Sequence, residues 1–294
     1  MSTFKVALYG YMPSEVTKQA VFSILEAISD FQGAVCMEAV FSASLGAEVS
    51  GVPVFAQASD LDPTTSLFVS FGGDGTMLKA TTFIKDTGIP LVGVNTGRLG
   101  FLSTIDVAQV KKVISDFVEG NYTIEERTMV SLSADPPIPE FEDVSVALNE
   151  ITVSRKDTTA MITVATYLDG EYLTSYWADG LIIATPTGST GYSLSCGGPV
   201  MAPGTNSLIL TPIAPHNLNA RPLIIADHTE IRLSVTSREP QHLVSLDSRI
   251  ASLENGRELI IKKAPYTLKM VAYTSESFLK TLRNKLLWGA DKRN

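Results

Sequence analysis

Two stretches of this chain carry residues whose types and spacing suit chemistry at a phosphate. In the first, Ser66-Leu-Phe-Val-Ser-Phe-Gly-Gly-Asp-Gly-Thr-Met77, a short apolar run stops on Gly72, Gly73 and Gly75 set around one carboxylate, Asp74. Glycines adopt backbone conformations closed to other residues and let a ligand lie against the main chain. A helix after them, expected over 76–86, points free N–H groups and the positive end of its dipole at the same spot, which favours bound phosphate. A carboxylate repels phosphate, so Asp74 at the tip reads as a group that takes a proton from a hydroxyl. The same turn also fits a simple helix cap with Asp74 accepting N–H bonds. The common phosphate motifs are not met: there is no G-x-x-x-x-G-K-[ST], and Leu78 stands where G-x-G-x-x-G needs its third glycine.

The second stretch is Asp179-Gly-Leu-Ile-Ile-Ala-Thr-Pro-Thr-Gly-Ser-Thr-Gly-Tyr-Ser-Leu-Ser195, a carboxylate, a strand and a loop crowded with hydroxyls. Thr187, Ser189, Thr190, Tyr192, Ser193 and Ser195 offer donors and acceptors on compact side chains, and Gly188 and Gly191 allow close backbone approach. Such a loop suits a nucleoside; it equally suits a helix N-terminus capped by Ser and Thr. Asn149-Glu150 interrupts an apolar strand pattern, where neighbouring side chains point to opposite faces. Burying either costs free energy unless it is paired, so a ligand or a fixed partner is expected. Thr211-Pro-Ile-Ala-Pro-His216 and Arg221-Pro222 form a proline-stiffened loop in which His216 is either a base or a structural hydrogen-bonding group.

The elements that must position these residues change character along the chain. In the first hundred residues short apolar strands alternate with helical spacing: strands at 5–10, 66–71 and 90–95, and a helix over 14–31 with Val16, Ala20, Ile24 and Ala27 on one face. That alternation predicts a parallel sheet covered on both faces, with ligands at the carboxyl ends of its strands, where Asp74 and Asn95 fall. From about Phe141 the period becomes two, with strands over 144–154, 161–168 and 171–177, the last two joined by Asp169-Gly170, and more at 230–235, 258–262 and 267–273. These predict an antiparallel sandwich. The fold class is therefore an α/β Rossmann-like parallel-sheet domain followed by a β-sandwich domain. We place the first at 1–125 and the second, the β-rich domain, at 126–274, with a final helix within 275–294 crossing back onto the first.

Composition narrows the function. The 294 residues suffice for two domains, and 45% are hydrophobic, as in a well-buried globular protein. Net charge is −8, from 23 Lys and Arg against 31 Asp and Glu, which argues against a nucleic-acid surface. The basic residues of 280–293 are interleaved with Leu282, Leu286, Leu287 and Trp288, as on the solvated side of a helix. No run has membrane-spanning length and the first residues lack a signal pattern, so a cytosolic protein is expected. Cys36 and Cys196 imply neither a disulfide framework nor a zinc site, and the 3 histidines are scattered, so no protein-held metal is expected.

Taken in order, Gly72-Gly-Asp-Gly-Thr76, Asn95-Thr-Gly-Arg-Leu-Gly-Phe-Leu102, Asn149-Glu150, Asp179 with Thr185-Pro-Thr-Gly-Ser-Thr190, and Pro215-His216 with Arg221-Pro222 resemble the NAD kinase family. The resemblance spans about 66–250 and the closing 282–289. It implies transfer of the ATP γ-phosphate to the 2′-hydroxyl of the adenosine ribose of NAD, giving NADP, with a phosphofructokinase-like first domain and homodimers or homotetramers. Mg²⁺ would arrive with ATP. Carried over by residue, Asp74 resembles the general base and Gly75 its backbone neighbour at the ribose. Asn149 and Glu150 resemble nucleoside contacts, and Asp179 an acidic residue on the nicotinamide side. Thr187 and the run Thr190, Gly191, Tyr192, Ser193, Leu194 and Ser195 resemble the NAD-holding segment, Ala214 a backbone contact, and Lys79 a phosphate contact. Gly191 stands where the family commonly has Ala, and Arg249 where it often has Gln; an arginine there would favour an anionic ligand. The Gly-Gly-Asp-Gly turn alone leaves open a lipid kinase or a phosphofructokinase, and the loop from Thr187 to Ser195 alone a non-catalytic dinucleotide sensor, which needs no acid at the glycine turn.

Overall fold

The computed structural model describes residues 4–157, 160–273 and 277–287. They divide into two compact units, one of 1–126 with 268–294 and one of 127–267.

The first unit begins β1 (Lys5–Gly10), α1 (Glu15–Asp30), β2 (Ala34–Glu38), α2 (Ala39–Leu45), β3 (Val54–Phe55), β4 (Leu67–Phe71), α3 (Asp74–Ile84), β5 (Leu91–Asn95), β6 (Ile105–Asp106), α4 (Val110–Glu119) and β7 (Thr123–Arg127). Every residue of β4 and β5 is buried, as expected of parallel strands covered on both faces. Strands β1, β2, β3, β4 and β5 pair in parallel in the spatial order β3-β2-β1-β4-β5. The order reverses between β1 and β4, the kind of switch point at whose carboxyl ends open α/β sheets bind ligands. Ser14 caps α1 by accepting Thr17 N–H at 3.2 Å. The helix buries Ala20, Val21, Ile24, Ala27 and Ile28 while Val16 is 47% exposed, so its apolar stripe lies one position round from the expected one. Helix α3 starts at Asp74, two residues before the expected start.

The second unit holds β8 (Val130–Ala134), β9 (Val146–Ala147), β10 (Glu150–Arg155), β11 (Ile162–Leu168), β12 (Glu171–Ala178), β13 (Gly180–Ala184), α5 (Tyr192–Ser195), β14 (Ser207–Ile213), β15 (Leu223–Ala226), β16 (Ile231–Ser237), β17 (Gln241–Leu246), β18 (Arg249–Glu254) and β19 (Glu258–Lys263). They form two six-stranded sheets, β15-β14-β13-β10-β17-β18 and β12-β11-β16-β19-β8-β9. Inward residues of both, among them Val153, Leu181 and Leu246 from one and Val164, Leu233 and Ile261 from the other, make one core, so this unit is an antiparallel sandwich. The expected continuous strand over 144–154 is two strands in different sheets: the chain leaves β9 and enters β10 through Leu148 and Asn149.

The chain then re-enters the first unit as β20 (Leu268–Ala272) and α6 (Phe278–Leu286). The expectation that 267–273 adds a strand to the sandwich is overturned, because β20 pairs parallel with β5, Met270 opposite Leu91, and lies between β5 and β7. Its burial on both faces is what a place inside a parallel sheet requires, and its apolar run has no periodicity to mark that. Of the expected final helix, 275, 276 and 288–294 lie outside the described residues, as does the C-terminal part of the basic stretch. Among the described residues no helix is long and apolar enough to cross a membrane.

Candidate active site

In the first unit the site forms where β4 gives way to α3. Gly72 adopts φ 154°, and a Cβ there would lie 2.2 Å from Thr76 Oγ1, so this position requires glycine. Gly73 is extended and Gly75 helical, and a Cβ on either would meet open space. Only one of the three glycines thus uses the conformational freedom expected of all; the other two keep the surface bare at the start of α3. Lys79 stands exposed one turn further along.

Asp74, the first residue of α3, is fixed from outside its own helix. Its Oδ2 accepts Phe101 N–H at 2.8 Å, and its Oδ1 accepts Leu102 N–H at 3.0 Å and Ser103 N–H at 3.1 Å. Asn95, at the carboxyl end of β5, shapes the loop that brings those amides in. Its Nδ2 donates to Arg98 O at 2.7 Å and Ser103 O at 3.1 Å, and its Oδ1 accepts Gly97 N–H at 2.8 Å. Ser103 Oγ donates to Gly72 O at 2.8 Å, closing the ring of contacts. A carboxylate has roughly four lone-pair positions. Three are engaged here, which leaves an acceptor position on Oδ2. Lys285 of α6 lies with its ammonium 5.6 Å from the Phe101 ring centroid, over the same loop.

In the second unit the polar groups gather where β9 hands over to β10. Asn149 Oδ1, Glu150 Oε2 and Thr187 Oγ1 are buried and find no hydrogen-bond partner among the described residues. Burial first, and then the Asp247 carboxylate, push the Glu150 carboxyl up to about 8, against a smaller pull down from Tyr192 N–H. The Thr185-to-Thr190 turn is pressed onto this crossing: Thr185 N–H donates to Asn149 O at 2.9 Å, Thr185 Oγ1 donates to Leu148 O at 2.6 Å, and a Cβ on Gly188 would fall 2.0 Å from Asn149 O. At Gly191 a Cβ would lie 3.3 Å from Glu150 Oε2, so glycine keeps that carboxyl oxygen uncrowded.

The hydroxyl-rich loop is less available than its composition suggests. Ser189 Oγ donates to Pro186 O at 2.7 Å and accepts Met201 N–H at 2.9 Å, Thr190 Oγ1 donates to Thr187 O at 3.1 Å, and Ser193 Oγ pairs with Thr211 Oγ1 at 2.8 Å. These hydroxyls tie the turn of 3-10 helix, Gly188–Thr190, to Pro186, Thr187 and Met201 and tie α5 to β14, and they leave Thr187, Tyr192 and Ser195 to present outward or into the buried polar cluster. Tyr192 is 46% exposed and Leu194 partly buried. Asp179, between β12 and β13, is paired with Arg155, Nη2 to Oδ2 3.0 Å. Ala214 follows β14 with φ 44°, a left-handed backbone unusual for a residue with a side chain, and is exposed. His216 is exposed, its ring 5.2 Å from that of Trp177 and its backbone N–H donating to Trp177 O at 2.8 Å.

Two features were invisible to sequence reasoning. The amides of Phe101, Leu102 and Ser103 carry no side-chain signal; Gly100 within Arg98-Leu-Gly-Phe101 was the only hint. Asp247, in the turn between β17 and β18, accepts the N–H groups of Leu148, Asn149 and Glu150, and in sequence it reads only as a turn residue, Asp247-Ser248. Arg249 departs from expectation. Its guanidinium donates to Val144 O and, at 2.5 Å, to Val146 O, and burial lowers its pKa, so its fork is committed to the chain before β10 and not to an anionic ligand. Among the described residues no group of three or more His, Cys, Asp and Glu is placed to hold a metal ion.

Residues 58–122 match a family model described as the ATP-NAD kinase N-terminal domain, and 148–273 match the ATP-NAD kinase C-terminal domain. Over 293 residues, 99% of this chain and 100% of the relative, the sequence is 52% identical to an NAD kinase of Flavobacterium psychrophilum. It is 58% identical over 240 residues, 82% of each chain, to an NAD kinase of Flavobacterium johnsoniae. Among solved structures, yeast NADH kinase complexed with NADH superposes with a TM-score of 0.87 at 25% identity, covering 98% of this chain and 89% of that one. An NAD kinase from Archaeoglobus fulgidus in complex with ATP gives 0.76 at 29% identity, covering 97% and 99%.

Proposed function

The chain belongs to the NAD kinase family, and from that premise we propose how its residues transfer phosphate from ATP to NAD. The 2′-oxygen of the adenosine ribose of NAD attacks the γ-phosphorus of ATP, the bond from that phosphorus to the bridging β-γ oxygen breaks, and NADP and ADP leave. The hydroxyl proton goes to Asp74. The observation that supports this assignment most directly is the fixed carboxylate at the start of α3, whose Oδ2 keeps one acceptor position beside backbone stripped of side chains by Gly73 and Gly75. Phosphoryl transfer asks a protein mainly for in-line positioning and charge neutralisation. The first turn of α3 supplies partial positive charge at the phosphates, and Lys79 a full one. Mg²⁺ carried in with ATP would supply further charge neutralisation at the phosphates.

In the second unit, Asn149, Glu150 and Thr187 hold the nucleoside through their buried unpartnered atoms, and Tyr192 lies over it. Gly191, Ser193, Leu194 and Ser195 shape that pocket, Ala214 approaches through its left-handed backbone, and Asp179, oriented by Arg155, meets the nicotinamide side. The same proposal places the enzyme in the cytosol as a homodimer or homotetramer, which light scattering of the purified protein tests; a monomer at working concentration would remove that part.

The deciding experiment is incubation with NAD and Mg-ATP, reading NADP through an NADP-specific dehydrogenase, with a diacylglycerol and fructose 6-phosphate offered in parallel. NADP should form and the other two acceptors stay unphosphorylated. Binding of NAD without turnover would instead indicate a dinucleotide sensor.

A further inference from the structure

The turn between β17 and β18 grips the chain on both sides of the place where it changes sheets. Asp247 accepts Leu148 N–H at 3.0 Å, Asn149 N–H at 2.8 Å and Glu150 N–H at 3.2 Å, and its own N–H donates to Glu150 O at 3.0 Å. Two residues on, Arg249 takes the carbonyls of Val144 and Val146. The segment so clamped carries Asn149 Oδ1 and Glu150 Oε2, both buried and without a partner among the described residues. Three amides converging on one half-buried carboxylate fix the φ and ψ of consecutive residues, and with them the directions in which the two side chains leave the backbone. A sandwich core does not need this: the apolar contacts of Ile151 and Val153 already hold β10 in register.

We propose that Asp247 is a positioning residue of the nucleotide-acceptor site, setting the backbone of 148–150 so that Asn149 and Glu150 face the substrate. The inference rests on the reading of Asn149 and Glu150 as nucleoside contacts. It also has an electrostatic side. Around Glu150 and Asp247 the other charged or titratable groups among the described residues are Arg249 and Tyr192, with Tyr266 facing Arg249, and Cys196 and Asp179 facing Tyr192. Burial raises both carboxyls, but three N–H donors and Arg249 favour charge on Asp247, whereas Glu150 has only Tyr192 N–H. Of the pair Asp247 is the better placed to hold the charge, while Glu150, pushed up to about 8, keeps its proton at neutral pH and can donate it to an acceptor on the substrate.

The test compares wild type, N149A, E150Q, D247N and D247N/E150Q as full-length enzymes across pH. D247N should raise KM for NAD about tenfold with kcat changed much less, because the lost alignment acts on binding. KM for ATP should stay level. In the wild type KM for NAD should climb as pH rises past about 8; in D247N, with the neighbouring charge gone, the climb should begin at lower pH, and in E150Q it should vanish and D247N add no further shift. A residue serving the fold alone would lower Tm without moving that profile. An unaltered KM and pH profile in D247N, alongside raised KM in N149A and a lost alkaline climb in E150Q, would overturn the inference; unaltered KM in N149A with an unaltered climb in E150Q would instead overturn the contact reading beneath it. Should D247N not fold, the wild-type minus E150Q infrared difference at neutral pH should still contain a protonated-carboxyl band, and its absence would equally defeat the proposal.

Discussion

A Cβ placed on Gly100 would lie 1.8 Å from Asp74 Oδ1. No side chain fits between that backbone and that carboxylate, so the loop over 97–103 and the start of α3 are built against each other. Gly100→Ala must push the loop away, lengthening the three N–H bonds to a charged acceptor. Stability should fall by about 2 to 3 kcal/mol. Misplacement of a reacting group by an ångström costs about 10² in rate, and turnover should drop by that order. A thermal melt and a steady-state assay check both, and an alanine variant of normal Tm and rate would show that the loop yields freely.

Asp74→Asn separates the base from the scaffold. The asparagine oxygen still accepts the N–H bonds of Leu102 and Ser103, at the loss of the one from Phe101, but its amide cannot take the hydroxyl proton. General base help is worth about 10² to 10⁴, so kcat should fall at least about 10² while NAD affinity by calorimetry changes little. Near-normal turnover would take the role of base away from Asp74.

Much of this site was legible in the sequence, and the rest was hidden for a definite reason. Side-chain chemistry announces itself: Asp74 among glycines, Asn149-Glu150 in an apolar run, and Thr187 in a hydroxyl loop each break a local rule. Backbone donors do not. Phe101, Leu102 and Ser103 contribute only N–H groups, which every non-proline residue has, and Asp247 reaches Leu148 across 99 residues. Hydroxyl counts do not tell which oxygens are already engaged: Ser189 bonds within its own turn and Ser193 pairs with Thr211 of β14. For β20 the strand itself was plain, but its sheet was not, because pairing to β5 is a long-range choice that a five-residue segment does not encode.

Thr187→Val tests which hydroxyl is kept for a ligand. Thr187 Oγ1 is buried without a partner among the described residues, so replacing it by a methyl of the same shape removes a desolvation penalty from the folded state. Tm should hold or rise. Loss of one hydrogen bond to substrate, about 0.5 to 1.5 kcal/mol, should raise KM for NAD roughly two- to tenfold. A fall in Tm with unchanged KM would make the hydroxyl structural.

Glu150→Gln should alter the pH dependence of stability. The carboxyl has a folded pKa of about 8 against an ordinary value of 4.5, so the folded state holds the proton more tightly than the unfolded one. Its contribution is complete below 4.5 and is lost as pH rises through about 8. Wild type should therefore weaken relative to E150Q by a few kcal/mol between acid and mildly alkaline pH, read from denaturant midpoints at several pH values. Parallel curves for the two proteins would mean that Glu150 is ionised in the fold.

His242 governs the acid side. It lies fully buried in β17, opposite Leu253 and Arg155, and neither ring nitrogen has a close hydrogen-bond partner among the described residues. Burial lowers its pKa from 6.5, outweighing a weaker upward influence from Asn255, so the folded state carries the neutral ring. The unfolded chain then binds a proton that the folded one refuses. Stability from this residue is complete above 6.5 and declines as pH falls below it, levelling off only beneath the lowered folded value. His242→Gln, which cannot gain that charge, should flatten the decline between neutral pH and about 5 even if it weakens the core overall. Equal slopes in the two proteins would place the acid sensitivity elsewhere in the chain.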